Sequence, residues 1–248
     1  LSVDRAGVPD DLDARLLALL RRKLGNAAIA YAEPPSRILG GFDTLIYGFR
    51  LAGAPAGFSG PLILRVFRAN AAREQALYEA AVQNAVADLA FPAPRVMLTH
   101  TEPEPLGAAF TIMERMPESV MLNGLLSPAM ARMPLLLART HARLHALDAS
   151  EFTQGLKRAG VRAEQMSLDA LLDQYERRIA EAQLAALMPA LGWLAGRRPA
   201  IPDRASICHG DFHPLNVLVD GDEVSGVVDW AWVMVGPAEW DVGAAVAL

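Results

Sequence analysis

Apolar residues recur at helical spacing near the start of the chain. Leu12, Leu16, Leu19, Leu20 and Leu24 follow Asp10 and Asp11 as candidate N-caps and precede Gly25, so an amphipathic helix is expected there. The period then changes to two. In 44–51, Leu45, Tyr47, Phe49 and Leu51 alternate with Thr44, Ile46, Gly48 and Arg50, and the turn-rich stretch 53–61 leads to an answering strand at 62–67. These two strands read as a hairpin. An Ala/Glu/Gln-rich helix from 71 to about 88 follows, then short strands at 95–99 and 108–113. Glu114-Arg115-Met116-Pro117 interrupts the pattern, and a domain boundary is expected there, giving 1–116 and 117–248.

Beyond that boundary the pattern is mostly helical. Ser127-Pro128 is a helix-start signal, and Pro134 opens a helix reaching about Leu147. Ser167 caps another helix, whose stripe is Leu168, Leu171, Leu172, Tyr175 and Ile179. Short strands are expected at 205–208, 217–219 and 224–229, the last two joined by the Asp220-Gly221-Asp222 turn.

Composition narrows the class. The 248 residues are 52% hydrophobic and 21% charged, which suits a well-cored globular protein of one or two domains. A net charge of -5 argues against a nucleic-acid-wrapping surface. The single cysteine, Cys208, excludes a disulfide scaffold and fits a reducing cytoplasm; its strand setting marks it as inert. No apolar run reaches the roughly eighteen residues of a membrane span, and no secretory signal opens the chain. The chain stops at Leu248 inside an apolar, helix-like run, so further sequence is expected beyond it.

The candidate chemistry lies in Ile207-Cys208-His209-Gly210-Asp211-Phe212-His213-Pro214-Leu215-Asn216, followed by Val227-Val228-Asp229-Trp230. Polar groups between apolar strand fragments are presented from a loop on a rigid scaffold. Asp211 and Asn216 are five apart, and Asp229 ends a hairpin thirteen residues later. Two carboxylates and an amide oxygen are hard donors of the kind Mg²⁺ takes, with one carboxylate left to act on a proton. A rival reading puts His209, Asp211 and His213 on one face of a strand as zinc or iron ligands of a metallohydrolase. His141 and His145 also stand at metal-ligand spacing, but with no evident third ligand they are expected to be packing histidines. Trp230, Trp232 and Trp240 are expected in the core.

His209-Gly210-Asp211 with Asn216 and Asp229-Trp230 resembles the aminoglycoside phosphotransferase family, which has the protein-kinase-like fold. The likeness covers most of the chain. Gly40 to Tyr47 is similar to the family's nucleotide-covering strand-turn-strand, Leu64-Arg65-Val66 to its phosphate-binding strand, and Arg73-Glu74 to the start of the helix whose Glu pairs with that strand's lysine. Ile112 to Met116 resembles the adenine-binding hinge, Leu144 to Leu147 a characteristic helix end, and Gly236-Pro237 with Asp241 the segment after the metal-binding Asp.

The resemblance implies a two-lobed α+β fold: a small antiparallel-sheet N-lobe that binds nucleotide, and a mainly helical C-lobe that binds the acceptor. It implies an ATP- and Mg²⁺-dependent kinase that phosphorylates a hydroxyl of a small molecule. Asp211 would be the catalytic base, and Asn216 and Asp229 the Mg²⁺ ligands. Arg65, standing where the family has lysine, would contact the phosphates, with Glu74 orienting it and Glu79 a second acid within range. Backbone around Gly41, Phe42, Asp43 and Thr44 would cover the phosphates, and Glu114 and Met116 would receive adenine. The arginine and the absence of a full G-x-G-x-x-G leave a non-catalytic nucleotide-binding pseudokinase as the alternative. Residues 148–183 hold seven acids against five bases, a mild excess that gives little support to a strongly cationic acceptor.

Overall fold

A computed structural model of the chain describes residues 11–39, 44–68, 72–117, 119–120, 131–162, 166–196 and 205–247. The chain divides into two compact units. One takes the residues up to 87 together with 93–117; the other takes 88–92 and everything after 117.

The first unit is built on a five-stranded antiparallel sheet. Its strands are β1 (Ala30–Ile38), β2 (Thr44–Ala52), β3 (Pro61–Phe67), β4 (Val96–His100) and β5 (Phe110–Glu114), in the order β1-β2-β3-β5-β4. The expected hairpin is β2–β3, with Thr44 opposite Phe67 and Arg50 opposite Pro61. Period-two alternation assigns its residues to faces. Leu45, Phe49, Leu51, Leu62, Leu64 and Val66 bury against Leu12, Leu16, Leu19 and Leu20 of α1 (Leu12–Lys23). The opposite face carries Ile63 and Phe67 to Ala76 and Ala80 of α2 (Ala72–Asp88). Each large apolar side chain so buried contributes about 1.5–3 kcal/mol.

Two details differ from the sequence expectation. Asp11 stands before α1 but makes no capping bond; its carboxylate instead accepts from Arg15 Nε at 2.7 Å. Asp10 lies outside the described residues. β1 is an additional strand: it carries Pro34 and Pro35, is mostly exposed, and its register against β2 shifts twice. Those are edge-strand traits, since proline cannot donate to a central ladder.

In the second unit, α3 (Met133–His145) has proline in its first turn, and Ser167 Oγ caps α5 (Leu168–Glu181) by accepting from Ala170 N at 3.2 Å. Asp148 caps α4 (Ala149–Arg158) in the same way. Helices α6 (Met188–Ala195) and α7 (Ala238–Ala247) complete the helical set among the described residues. Ser127 and Pro128 lie outside them. Five short strands form two small sheets. β6 (Ser119–Val120), β8 (Val217–Asp220) and β9 (Glu223–Val227) make one, and β7 (Ser206–Cys208) with β10 (Met234–Gly236) the other. The 88–92 loop groups with this unit: the Phe91 ring meets Trp230 edge-on at 5.8 Å, and Val227 N donates to the Pro92 carbonyl at 2.7 Å. Among the described residues no helix is long and apolar enough to cross a membrane.

Candidate active site

The loop after β7 carries the motif. β7 is buried and ends at Cys208, whose thiol pKa is pushed up by burial and further by Asp241. Gly210 turns the chain with φ +80°, and a Cβ there would lie 2.3 Å from the Trp232 carbonyl oxygen. No L side chain fits this position without moving backbone.

A single buried carboxylate fixes the loop backbone. Asp241, in the first turn of α7, accepts from His209 N at Oδ2 and from Gly210 N at Oδ1, both at 2.8 Å. His141 and His145 of α3 bring their Nε2 atoms to the same Oδ2, at 2.7 and 2.8 Å. Burial alone would raise the Asp241 pKa. The bonds from His141, His145 and the Gly210 amide outweigh it and hold the group well below the usual carboxylate range.

His209 is fully buried, which lowers its pKa and favours the neutral ring. Its Nε2 donates to the Val228 carbonyl at 3.1 Å, and its Nδ1 accepts from Asp211 N at 3.3 Å. Both ring nitrogens are thus committed to backbone. The metallohydrolase reading required a strand carrying His209, Asp211 and His213 on one face. The strand instead ends at Cys208 and His209 turns inward, so that arrangement is not formed.

Asp211 stays partly exposed, with 27% of its side chain accessible. Asn216 Nδ2 donates to both its carbonyl, at 2.9 Å, and its Oδ2, at 3.0 Å. His213 Nδ1 accepts from Leu215 N at 3.2 Å, and its Nε2 lies 3.3 Å from both Asp211 Oδ1 and Asn216 Nδ2. The β8–β9 hairpin then brings Asp229 alongside. Val217 pairs with Val227, and Val228 N donates to the Asn216 carbonyl at 2.9 Å. Asp229 itself takes the left-handed conformation, φ 67°, just before the fully buried Trp230, whose indole N–H is held by the Val227 carbonyl at 2.9 Å. A non-glycine residue held there stores strain of the order of 1–3 kcal/mol. Asp211 and Asn216 are thus joined directly, and the segment carrying Asp229 is tied to Asn216 through the Val228 amide.

In the first unit, Arg65 on β3 donates from Nε to the buried Thr44 hydroxyl at 3.2 Å and from Nη1 to Glu79 Oε2. The expectation that Glu74 orients Arg65 is corrected here. Glu74 is exposed in the first turn of α2, while Glu79 is 4% exposed and makes the ion pair. Five residues of helix turn the two acids about 140° apart, so only one can face the sheet. Gly41, Phe42 and Asp43 lie outside the described residues. Glu114 ends β5, its amide donating to the Arg95 carbonyl at 3.0 Å, and Met116 lies two residues past the strand.

Two contacts of the loop were not legible in the sequence, and a third could have been read from it. Asp241 is 96 and 100 residues from its imidazole partners, too far for any spacing rule. His213 beside Asp211 is hidden by its ambiguity as a loop residue. Glu79 could have been preferred over Glu74 from the apolar phase of α2, because Ala76 and Ala80 flank its face.

The small antiparallel sheet with its helix, the helical second unit, and a loop-borne Asp with Asn and Asp on the following hairpin define a kinase-like phosphotransferase fold. A model of the phosphotransferase enzyme family matches residues 36–248, and the chain belongs to that family. No curated protein sequence matches it. Among solved structures it is similar to an aminoglycoside-3'-phosphotransferase of type VIII, at 23% identity and TM-score 0.60, over 96% of this chain and 83% of that one. It is also similar to the macrolide 2'-phosphotransferase MphH of Brachybacterium faecium, at 21% and 0.57, over 93% and 76%. A third is a thermostable mutant of aminoglycoside phosphotransferase APH(4)-Ia in ternary complex with ADP and hygromycin B, at 19% and 0.54, over 92% and 75%.

Proposed function

We propose that the chain transfers the γ-phosphoryl group of ATP to a hydroxyl of a small molecule, with Mg²⁺ as cofactor. The observation that carries this reading is the Asp211 carboxylate, partly open and held by Asn216. A similar structure contains ADP with hygromycin B, and another similar enzyme is a macrolide phosphotransferase, which supports nucleotide and small-molecule partners for this chain.

The donor set fits the metal. An amide oxygen at Asn216 and a carboxylate at Asp229 are hard ligands, and the Val228 amide bonded to the Asn216 carbonyl supports their lying on neighbouring segments. These two would hold Mg²⁺, which when bound offsets negative charge on the phosphates. Asp211 would accept the proton of the acceptor hydroxyl as that oxygen attacks. Its carboxylate is oriented by the Asn216 amide, with the His213 ring beside it. Arg65 would grip the nucleotide phosphates as a fork, steadied by Thr44 and Glu79, and Glu114 and Met116 would receive adenine. Catalysis is then mainly positioning and electrostatics. The modest acid excess at 148–183 favours an acceptor of low positive charge, such as a sugar, amino alcohol or macrolide.

The test is ATP consumption over a panel of hydroxyl compounds. Asp211→Ala should lower turnover at least ~100-fold while nucleotide binding is kept. Wild-type turnover by the variant would sink the role of Asp211. ATP binding with no turnover on any acceptor would instead favour the pseudokinase.

A further inference from the structure

We infer that His141, His145 and Asp241 form a site for one divalent transition-metal ion, with zinc the ion their donors suit best.

His141 and His145 are one helical turn apart on α3 and so share a face. Their rings lie 4.2 Å apart, and both Nε2 atoms converge on Asp241 Oδ2, so that the three ligand atoms fall within 4.8 Å of one another. Two imidazoles and a carboxylate are the donor types of three-ligand zinc sites, with water in the fourth position. Tetrahedral bonds of about 2.0–2.2 Å separate ligands by about 3.3–3.5 Å. The present contacts of 2.7 and 2.8 Å must therefore open by roughly half an ångström, within the rotation of two rings.

Asp241 is 0% exposed and is the carboxylate on which both imidazoles converge, so the acidic donor is already held inside the protein. To bind a metal, each Nε2 must offer its lone pair, so any proton it now shares with Asp241 passes to Nδ1 or to solvent. Asp241 retains the Gly210 amide on Oδ1 and the His209 amide on Oδ2. The mixed nitrogen–oxygen set selects for ions softer than Mg²⁺, so this site and the Asn216–Asp229 pair would not compete for one metal. The His141 ring stacks on Phe212, 4.3 Å away and 8° from parallel, which ties the site to the residue after Asp211.

The experiment uses the whole chain stripped with a chelator and then titrated with zinc against a chromophoric competitor, and separately with Co²⁺ by visible absorption. One saturable equivalent, the intense Co²⁺ bands of a tetrahedral site, and a rise in Tm are expected. His141→Gln and His145→Gln should each weaken zinc at least ~100-fold, whereas His100→Gln should leave it unchanged. Should the Gln variants misfold by circular dichroism, the wild-type Co²⁺ spectrum decides alone. A weak octahedral spectrum, no saturable equivalent, or wild-type affinity in folded His141→Gln would each overturn the site.

Discussion

Gly210 shows how little freedom the motif loop has. Its φ of +80° and the 2.3 Å that would separate a Cβ from the Trp232 carbonyl are two independent reasons for glycine. Gly210→Ala should cost on the order of 2–3 kcal/mol, read as a lowered midpoint in thermal or urea unfolding. A variant as stable as the wild type would mean that the 232 backbone gives way freely. At this scale the sequence was partly legible. Asp211, Asn216 and Asp229 lie within 19 residues, and oxygen donors so close in sequence, on either side of a hairpin turn, announce a shared site. The Asp241 contacts were illegible because they join α7 to α3 and β7, and nothing local records them.

Among the elements, α2 carries the sharpest test. Its phase presents Glu79 to β3 and leaves Glu74 in solvent. Glu79→Gln should raise the KM for ATP severalfold and lower stability by about 1–3 kcal/mol, because Arg65 loses its buried partner. Glu74→Gln should leave both within error. Reversed results in paired steady-state and unfolding measurements would restore Glu74. The regular elements were readable where one physical period dominates: α1 from its leucines, β2–β3 from alternation, α5 from Ser167 and its stripe. β1 was not, because it is mostly exposed and interrupted by Pro34-Pro35, with Tyr31 its one side chain packed on the core among the described residues. α4 has only Phe152 and Leu156 buried, too few for a period to show.

For the molecule as a whole, two compact units with separate buried clusters imply two unfolding events. All four tryptophans (193, 230, 232 and 240) fall in the second unit, so their fluorescence reports on it alone. Leu16 is 0% exposed in the first unit's core. Leu16→Ala should destabilise that unit by about 2–5 kcal/mol. In urea titrations, part of the far-ultraviolet dichroism should then melt early while the tryptophan transition stays in place; a common shift of both would show one cooperative unit.

The Asp241 carboxylate has a consequence in time. It follows His209 by 32 residues and His145 by 96, so everything it holds is made before it. At ribosomal speeds of about 5–20 residues per second, the motif loop waits roughly 2–6 s for its anchor. During that interval the loop amides and both imidazoles have no carboxylate to gather them. The nascent chain would carry the motif loop and yet hold it unanchored until α7 folds back onto it.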